Sequence, residues 1–136
     1  MIQYFTEDIV FKLDSFPNLC RWLSHVIESE NHQQGDINYI FCSKPYLLEL
    51  NRNYLDHDYH TDILTFDQCT ESNTISGDIY ISVEQVSENA EQYQQPFSHE
   101  LKRVMLHGIL HLLGYNDQTP EEQREMRKKE EAYLSL

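Results

Sequence analysis

A chain of 136 residues with 40% hydrophobic and 12% aromatic content, only four Gly and four Pro, is long and apolar enough for one self-sufficient core, which excludes a disordered chain and a disulfide- or metal-stapled miniature fold. Its formal charge of -13, from 10 Lys and Arg against 23 Asp and Glu, opposes broad attraction to phosphate backbones or anionic membranes, so a nucleic-acid ligand needs a local basic patch. Lys102-Arg103 and Arg124, Arg127, Lys128 and Lys129 offer such patches, although solvated helix faces with nearby acids are the favoured reading of each.

In chain order, Ile2, Tyr4 and Ile9 to Leu13 alternate as an extended opening segment that finishes near Asp14-Ser15. A helix follows, with Asp14 or Ser15 as its cap, Pro17 in its first turn, Leu19, Trp22, Leu23, Val26 and Ile27 on one face, and Gly35 as the stop. Asp36 to Cys42 reads as an interior strand, apolar on both faces. Ser43 caps a second helix, with Pro45 in its first turn and Tyr46, Leu47, Leu50 and Tyr54 facing inward. Asp56 to His60 is a loop.

Thr61 to Asp67 and Thr74 to Ser82 are β-branched runs joined by a polar turn. Ser82 or Ser87 starts a helix carrying Val86, Ala90 and Tyr93 that ends before Pro96. Ser98 is the expected N-cap of a helix whose segment from Leu101 to Leu113 is apolar nearly all round, and Thr119-Pro120-Glu121-Glu122 opens a last, charged helix. The expected class is α+β: a small mixed β-sheet packed on one side by helices, in one domain spanning 1–136.

Cys20, Cys42 and Cys69 lack any C-x-x-C spacing and read as reduced thiols. The N-terminus has neither a basic nor an apolar leader region, and the longest apolar stretch, Val104 to Leu113, is too short for a bilayer. The expectation is a cytoplasmic protein with no membrane partner.

Within the apolar helix, His107 and His111 stand four residues apart and leave one face a turn apart, within reach of one ion. The competing reading is two core histidines satisfied by hydrogen bonds. Burial of two imidazoles is costly unless both nitrogens of each are occupied, which a metal on one nitrogen and a hydrogen bond on the other achieve. Gly114 turns the chain back and brings Asp117 within range as a third ligand, although an Asp there can also be a turn or N-cap residue. Two histidines and one carboxylate leave a fourth position open, as catalytic zinc sites require. Gly108 occupies the place where H-E-x-x-H peptidases carry their base Glu, which removes the peptidase reading's main catalytic group; a glycine there suggests close packing against a strand or room beside the metal, or is simply a tolerated weak helix residue.

The stretch His107-Gly108-Ile109-Leu110-His111-Leu112-Leu113-Gly114-Tyr115-Asn116-Asp117 resembles the signature of the YbeY family, H-G-x-L-H-L-x-G-Y-D-H. Leu50-Asn51-Arg52-Asn53-Tyr54, Thr61-Asp62-Ile63-Leu64-Thr65-Phe66 and Gly77-Asp78-Ile79-Tyr80-Ile81 are similar to its L-N-x-x-Y, T-D-V-L-S-F and G-D-I-x-I segments. The resemblance implies a single-strand-specific, metal-dependent endoribonuclease that acts with the ribosome on ribosomal RNA, including the 3′ end of the small-subunit RNA, and in ribosome quality control, with no DNA substrate. It implies one Zn²⁺ per chain, or another divalent transition metal, on His107, His111 and Asp117. Two positions depart from the pattern: Asp117 replaces the usual histidine, and Leu55 replaces a common Arg thought to help with the RNA phosphate, leaving Arg52, Arg103 or a partner to supply that charge. Tyr54, Tyr59 and Phe66 are candidate base-stacking surfaces, and His57 and His60 candidate acid-base or phosphate groups. The rival readings are a non-catalytic, metal-binding ribosome-associated factor and, on the histidine pair alone, a metallopeptidase-like hydrolase.

Overall fold

A computed structural model describes all 136 residues. The chain runs β1 (Ile2–Thr6), α1 (Phe16–Ser29), β2 (Gln33–Cys42), α2 (Lys44–Leu55), β3 (Ile63–Asp67), β4 (Thr74–Ser82), α3 (Val83–Gln92), α4 (Phe97–Leu112) and α5 (Pro120–Leu134). The sheet order is β1-β2-β4-β3, with β1, β2 and β4 parallel and β3 antiparallel to β4. The class is α+β with a mixed sheet, as the sequence predicts.

Strand periodicity sorts the sheet's residues into two faces. Ile37, Tyr39, Phe41, Ile75, Ile79 and Ile81 point into the main core with α1 and α4. Cys42, Leu64 and Phe66 point the other way, where Leu47 and Leu50 of α2 cover them. Helices therefore occupy both faces, and α2 is the correction to the one-sided expectation. Interior strand β2 is apolar on both faces because both are covered. The three cysteines are free thiols, with Cys42 buried and Cys20 and Cys69 half-buried.

Several local expectations shift. The opening strand ends at Thr6, because Asp8 takes a positive φ of 53° and its carboxylate accepts from the Ser43 amide at 3.1 Å and hydroxyl at 2.6 Å. Ser15 holds the N-cap place of α1 in a left-handed conformation without a side-chain cap. Gly35 lies inside β2, and α1 closes instead at Glu30 and Asn31, where Asn31 supplies the positive φ of 62°. α4 starts one residue before Ser98, with the Pro96 carbonyl accepting from the Glu100 amide at 3.2 Å. Tyr54 and Tyr93 sit at helix ends that overhang the core and are exposed. Ser43, Ser82 and Thr119 cap as their chemistry predicts, Thr119 in a full capping box with Glu122. No helix is long and apolar enough to cross a membrane.

Candidate metal centre

α4 carries two stripes. Leu101, Met105, Ile109 and Leu112 are buried against the sheet and its neighbours, each such side chain contributing about 1.5–3 kcal/mol by burial. Gly108 lies on this side: a Cβ there would stand 2.9 Å from Ile79 Cγ2 and 3.1 Å from Ile63 Cδ1. Glycine lets the helix backbone approach the sheet, the close packing the sequence suggested.

The other stripe, Glu100, Arg103, His107 and His111, repeats at helical spacing and faces α5. His107 Nε2 and His111 Nε2 stand 3.0 Å apart with rings at 82°. After α4, Gly114 adopts φ +106° and the Tyr115 amide donates to the Leu110 carbonyl at 3.0 Å, which turns the chain back. Asp117 Oδ2 arrives 3.2 Å from His107 Nε2 and 3.6 Å from His111 Nε2. Because Thr119 caps α5, the Asp117 carboxylate is not spent on a cap; its backbone carbonyl accepts from Gln123 Nε2 at 3.1 Å, tying the loop to the helix.

His107 Nδ1 is 2.6 Å from Glu130 Oε2, so the ring donates there and presents the Nε2 lone pair to the centre. Two imidazole nitrogens and a carboxylate oxygen thus converge on one point, and where all three present lone pairs there the arrangement repels itself unless a cation or proton sits between them. The separations of 3.0, 3.2 and 3.6 Å fit the roughly 3.3–3.5 Å between ligands of a tetrahedral ion with bonds of about 2.0–2.2 Å. The donor set and geometry fit a zinc-like ion. Burial pushes the His107 pKa down, but the Glu130 bond and the charges of Glu130, Asp117 and Asp62 outweigh it and leave the pKa raised. Burial, then the neighbouring His107, lowers that of His111. Protons on His107 compete with a metal.

Glu130 is 6% exposed and was not singled out from sequence, although its signal is there: Met126, Glu130 and Tyr133 form the inward stripe of α5, and an acid on such a stripe needs a partner. Its second oxygen meets Arg103 Nη1 at 3.3 Å. Arg103 is also held by both oxygens of Glu100, at 2.9 and 2.7 Å, and lies 3.9 Å from Asp62. Burial raises the Asp62 pKa against the pull of Arg103. On the far side of the ligand loop, Glu30 accepts from Tyr115 at 2.5 Å, from Lys129 at 3.1 Å and from Tyr133.

The centre opens into two cavities. One of about 380 Å³ lies between His111, Asp117 and β3 and includes Leu55 and Asp67; the other, of about 240 Å³, lies between His107, Asp117 and α5 and includes Arg103 and Arg127. Arg52 is engaged by Asp58. His57 stacks on Tyr59, and both lie with His60 in the exposed loop after α2 and line neither cavity. Tyr54 packs edge-on against Phe66 at 6.0 Å.

The profile described as Endoribonuclease YbeY matches residues 2–136. Proteins named Endoribonuclease YbeY from Amoebophilus asiaticus and Flavobacterium psychrophilum are 51% and 48% identical to this chain, covering 98% and 97% of it and 90% and 94% of their own lengths. The solution structure of TM1509 from Thermotoga maritima superposes with a TM-score of 0.66 at 31% identity, covering 99% of this chain and 87% of that one. A match of this extent, over a chain that places the signature histidines on one helix face, shows that this chain belongs to the YbeY family.

Proposed function

We propose that this chain is a metal-dependent endoribonuclease that cuts single-stranded RNA in the cytoplasm during ribosomal RNA maturation, including the 3′ end of the small-subunit RNA, and in ribosome quality control. His107, His111 and Asp117 hold one divalent metal, zinc or another transition ion. The observation that carries the reading is the convergence of His107 Nε2, His111 Nε2 and Asp117 Oδ2 within 3.6 Å of one another. When bound, such an ion supplies Lewis-acid polarisation and nucleophile activation for phosphodiester hydrolysis. Glu130 fixes the tautomer and orientation of His107, and Gln123 holds the returning loop that carries Asp117. The two cavities give an RNA strand a way in on one side of the centre and out on the other.

A peptidase has no base here, because the position after His107 is Gly108, turned to the sheet and packed on Ile79. The non-catalytic factor has one observation in its favour, the apolar Leu55 in the wall of the cavity beside His111. Elemental analysis and RNA cleavage decide between them. Wild-type protein is expected to carry about one metal per chain and to cut a single-stranded oligoribonucleotide, with Asp117→Ala and His111→Ala losing both. Unchanged metal content in Asp117→Ala sinks the third ligand, and metal-loaded protein that cuts no better than His111→Ala sinks the enzyme.

A further inference from the structure

The two cavities that meet at the centre differ in charge. The arm between His111 and β3 has no cation in its wall, and two carboxylates, Asp67 and Asp117, line it together with Leu55, Leu64 and Leu112. The arm between His107 and α5 offsets its two carboxylates, Asp117 and Glu130, with two guanidiniums, Arg103 and Arg127. Beyond Arg127 the surface continues along α5 as a shallow groove of about 820 Å³ in which Arg124, Arg127, Lys128 and Lys129 outnumber Glu125 and Glu131. In a chain with ten cationic side chains and a charge of -13, half of the cations thus lie on one side of the centre.

Their availability differs as well. Arg103 is committed to Glu100, Glu130 and Asp62, and Lys129 to Glu30. Arg124, Arg127 and Lys128 are exposed and have no carboxylate within 4.0 Å. Spaced at i, i+3 and i+4, they form one stripe on the outer face of α5. Arg127 joins that stripe to the wall of the centre, since it lines both the groove and the cavity beside His107.

We infer that an RNA strand is held asymmetrically: its phosphates on one side of the cleaved bond run over Arg127 and on to Arg124 and Lys128, while the other side passes the cation-free, Leu55-lined arm. This rests on the endoribonuclease reading and deepens it by naming which cations meet the backbone. Arg127, with a planar fork of free donors, is the one suited to the phosphate nearest the centre.

The test is equilibrium binding of a fluorescein-labelled single-stranded oligoribonucleotide, followed by anisotropy across a salt series, for wild type, Arg127→Ala, the triple variant Arg124→Ala/Arg127→Ala/Lys128→Ala, and Lys12→Ala as an exposed cation far from the centre. Each phosphate contact contributes about 0.7 to the slope of log affinity against log salt for single strands. Arg127→Ala should flatten the slope by about 0.7 and the triple variant by about 2, with metal content and melting temperature at wild-type values and Lys12→Ala unchanged. A wild-type protein that binds RNA with a slope the triple variant leaves intact, or that Lys12→Ala flattens equally, overturns the asymmetric path while leaving the ribonuclease reading in place. A wild-type protein that neither binds nor cuts RNA overturns both.

Discussion

The two faces of α4 are built on opposite principles. The sheet face is apolar, and its fit is so tight at Gly108 that a methyl group has no free space. The face toward α5 is a ladder of ionisable groups, Glu100, Arg103, His107 and His111: Glu100 grips Arg103 within the helix, and Arg103, His107 and His111 reach partners on α5 or in the ligand loop. Burial holds the helix in place and the polar ladder aims its ligands, so damage to the two faces should separate into stability and metal affinity.

The largest effect that would sharpen this division comes from Glu130→Gln. The amide keeps the size of the side chain and one acceptor but loses the charge that orients His107 through the 2.6 Å contact. Loss of such an outer carboxylate costs about 10–100-fold in metal affinity. Competitive chelator titration should show that loss. A wild-type metal affinity in Glu130→Gln would mean that His107 needs no second partner, and the ladder would lose its purpose.

Much of this arrangement is legible in the sequence, and the parts that are not have physical reasons. His107, His111, Gly114 and Asp117 can be found because helical periodicity and a C-terminal glycine are local signals, and Pro120 with Glu122 marks the α5 cap for the same reason. Glu130 and Glu30 escape because their partners lie 23 and 85 residues away in the chain, at His107 and Tyr115, and no local pattern encodes such a pairing. The covered second face of the sheet escapes for a related reason: the side on which α2 lands is decided by the connection from β2 to β3, not by the amphipathicity of α2. Ser98 and Gly35 have the chemistry of a cap and a stop, but Pro96 holds the N-cap place of α4 and Asn31 supplies the positive φ after α1.

An intermediate effect is expected from Glu30→Gln, which tests how the ligand loop is attached to the body of the protein. Burial alone would push the Glu30 pKa up, but hydrogen bonds from Tyr115, Tyr133 and Lys129 outweigh it and leave the folded value below the ordinary carboxylate value of 4.5. A depressed folded pKa stabilises the protein above the unfolded value, and that contribution fades as pH falls through the folded one. The variant should therefore be destabilised by about 1–3 kcal/mol near neutral pH, with the gap closing below about pH 4. Urea denaturation at pH 7.5 and at pH 3.5 checks it. A gap of equal size at both values would assign the effect to packing and not to the carboxylate charge.

The smallest effect, and the cleanest check of the sheet face, is Gly108→Ala. Two terms oppose each other. Replacing glycine in a helix interior favours the fold by about 1 kcal/mol, whereas a Cβ at 2.9 Å from Ile79 Cγ2 and 3.0 Å from its Cδ1 must push a fully buried side chain at a cost of about 1–3 kcal/mol. The Cδ1 contacts can yield by rotation, but Cγ2 sits on the branched carbon next to the β4 backbone and cannot yield without moving the strand, so the cost should prevail. A net loss of about 1 kcal/mol follows, seen as a lower melting temperature in metal-free protein. Metal affinity should hold, because His107 and His111 project toward α5 and the ligand loop and keep Glu130 and Asp117 as partners. A Gly108→Ala protein that melts normally but binds metal weakly would show that the two faces of α4 are coupled through the helix itself.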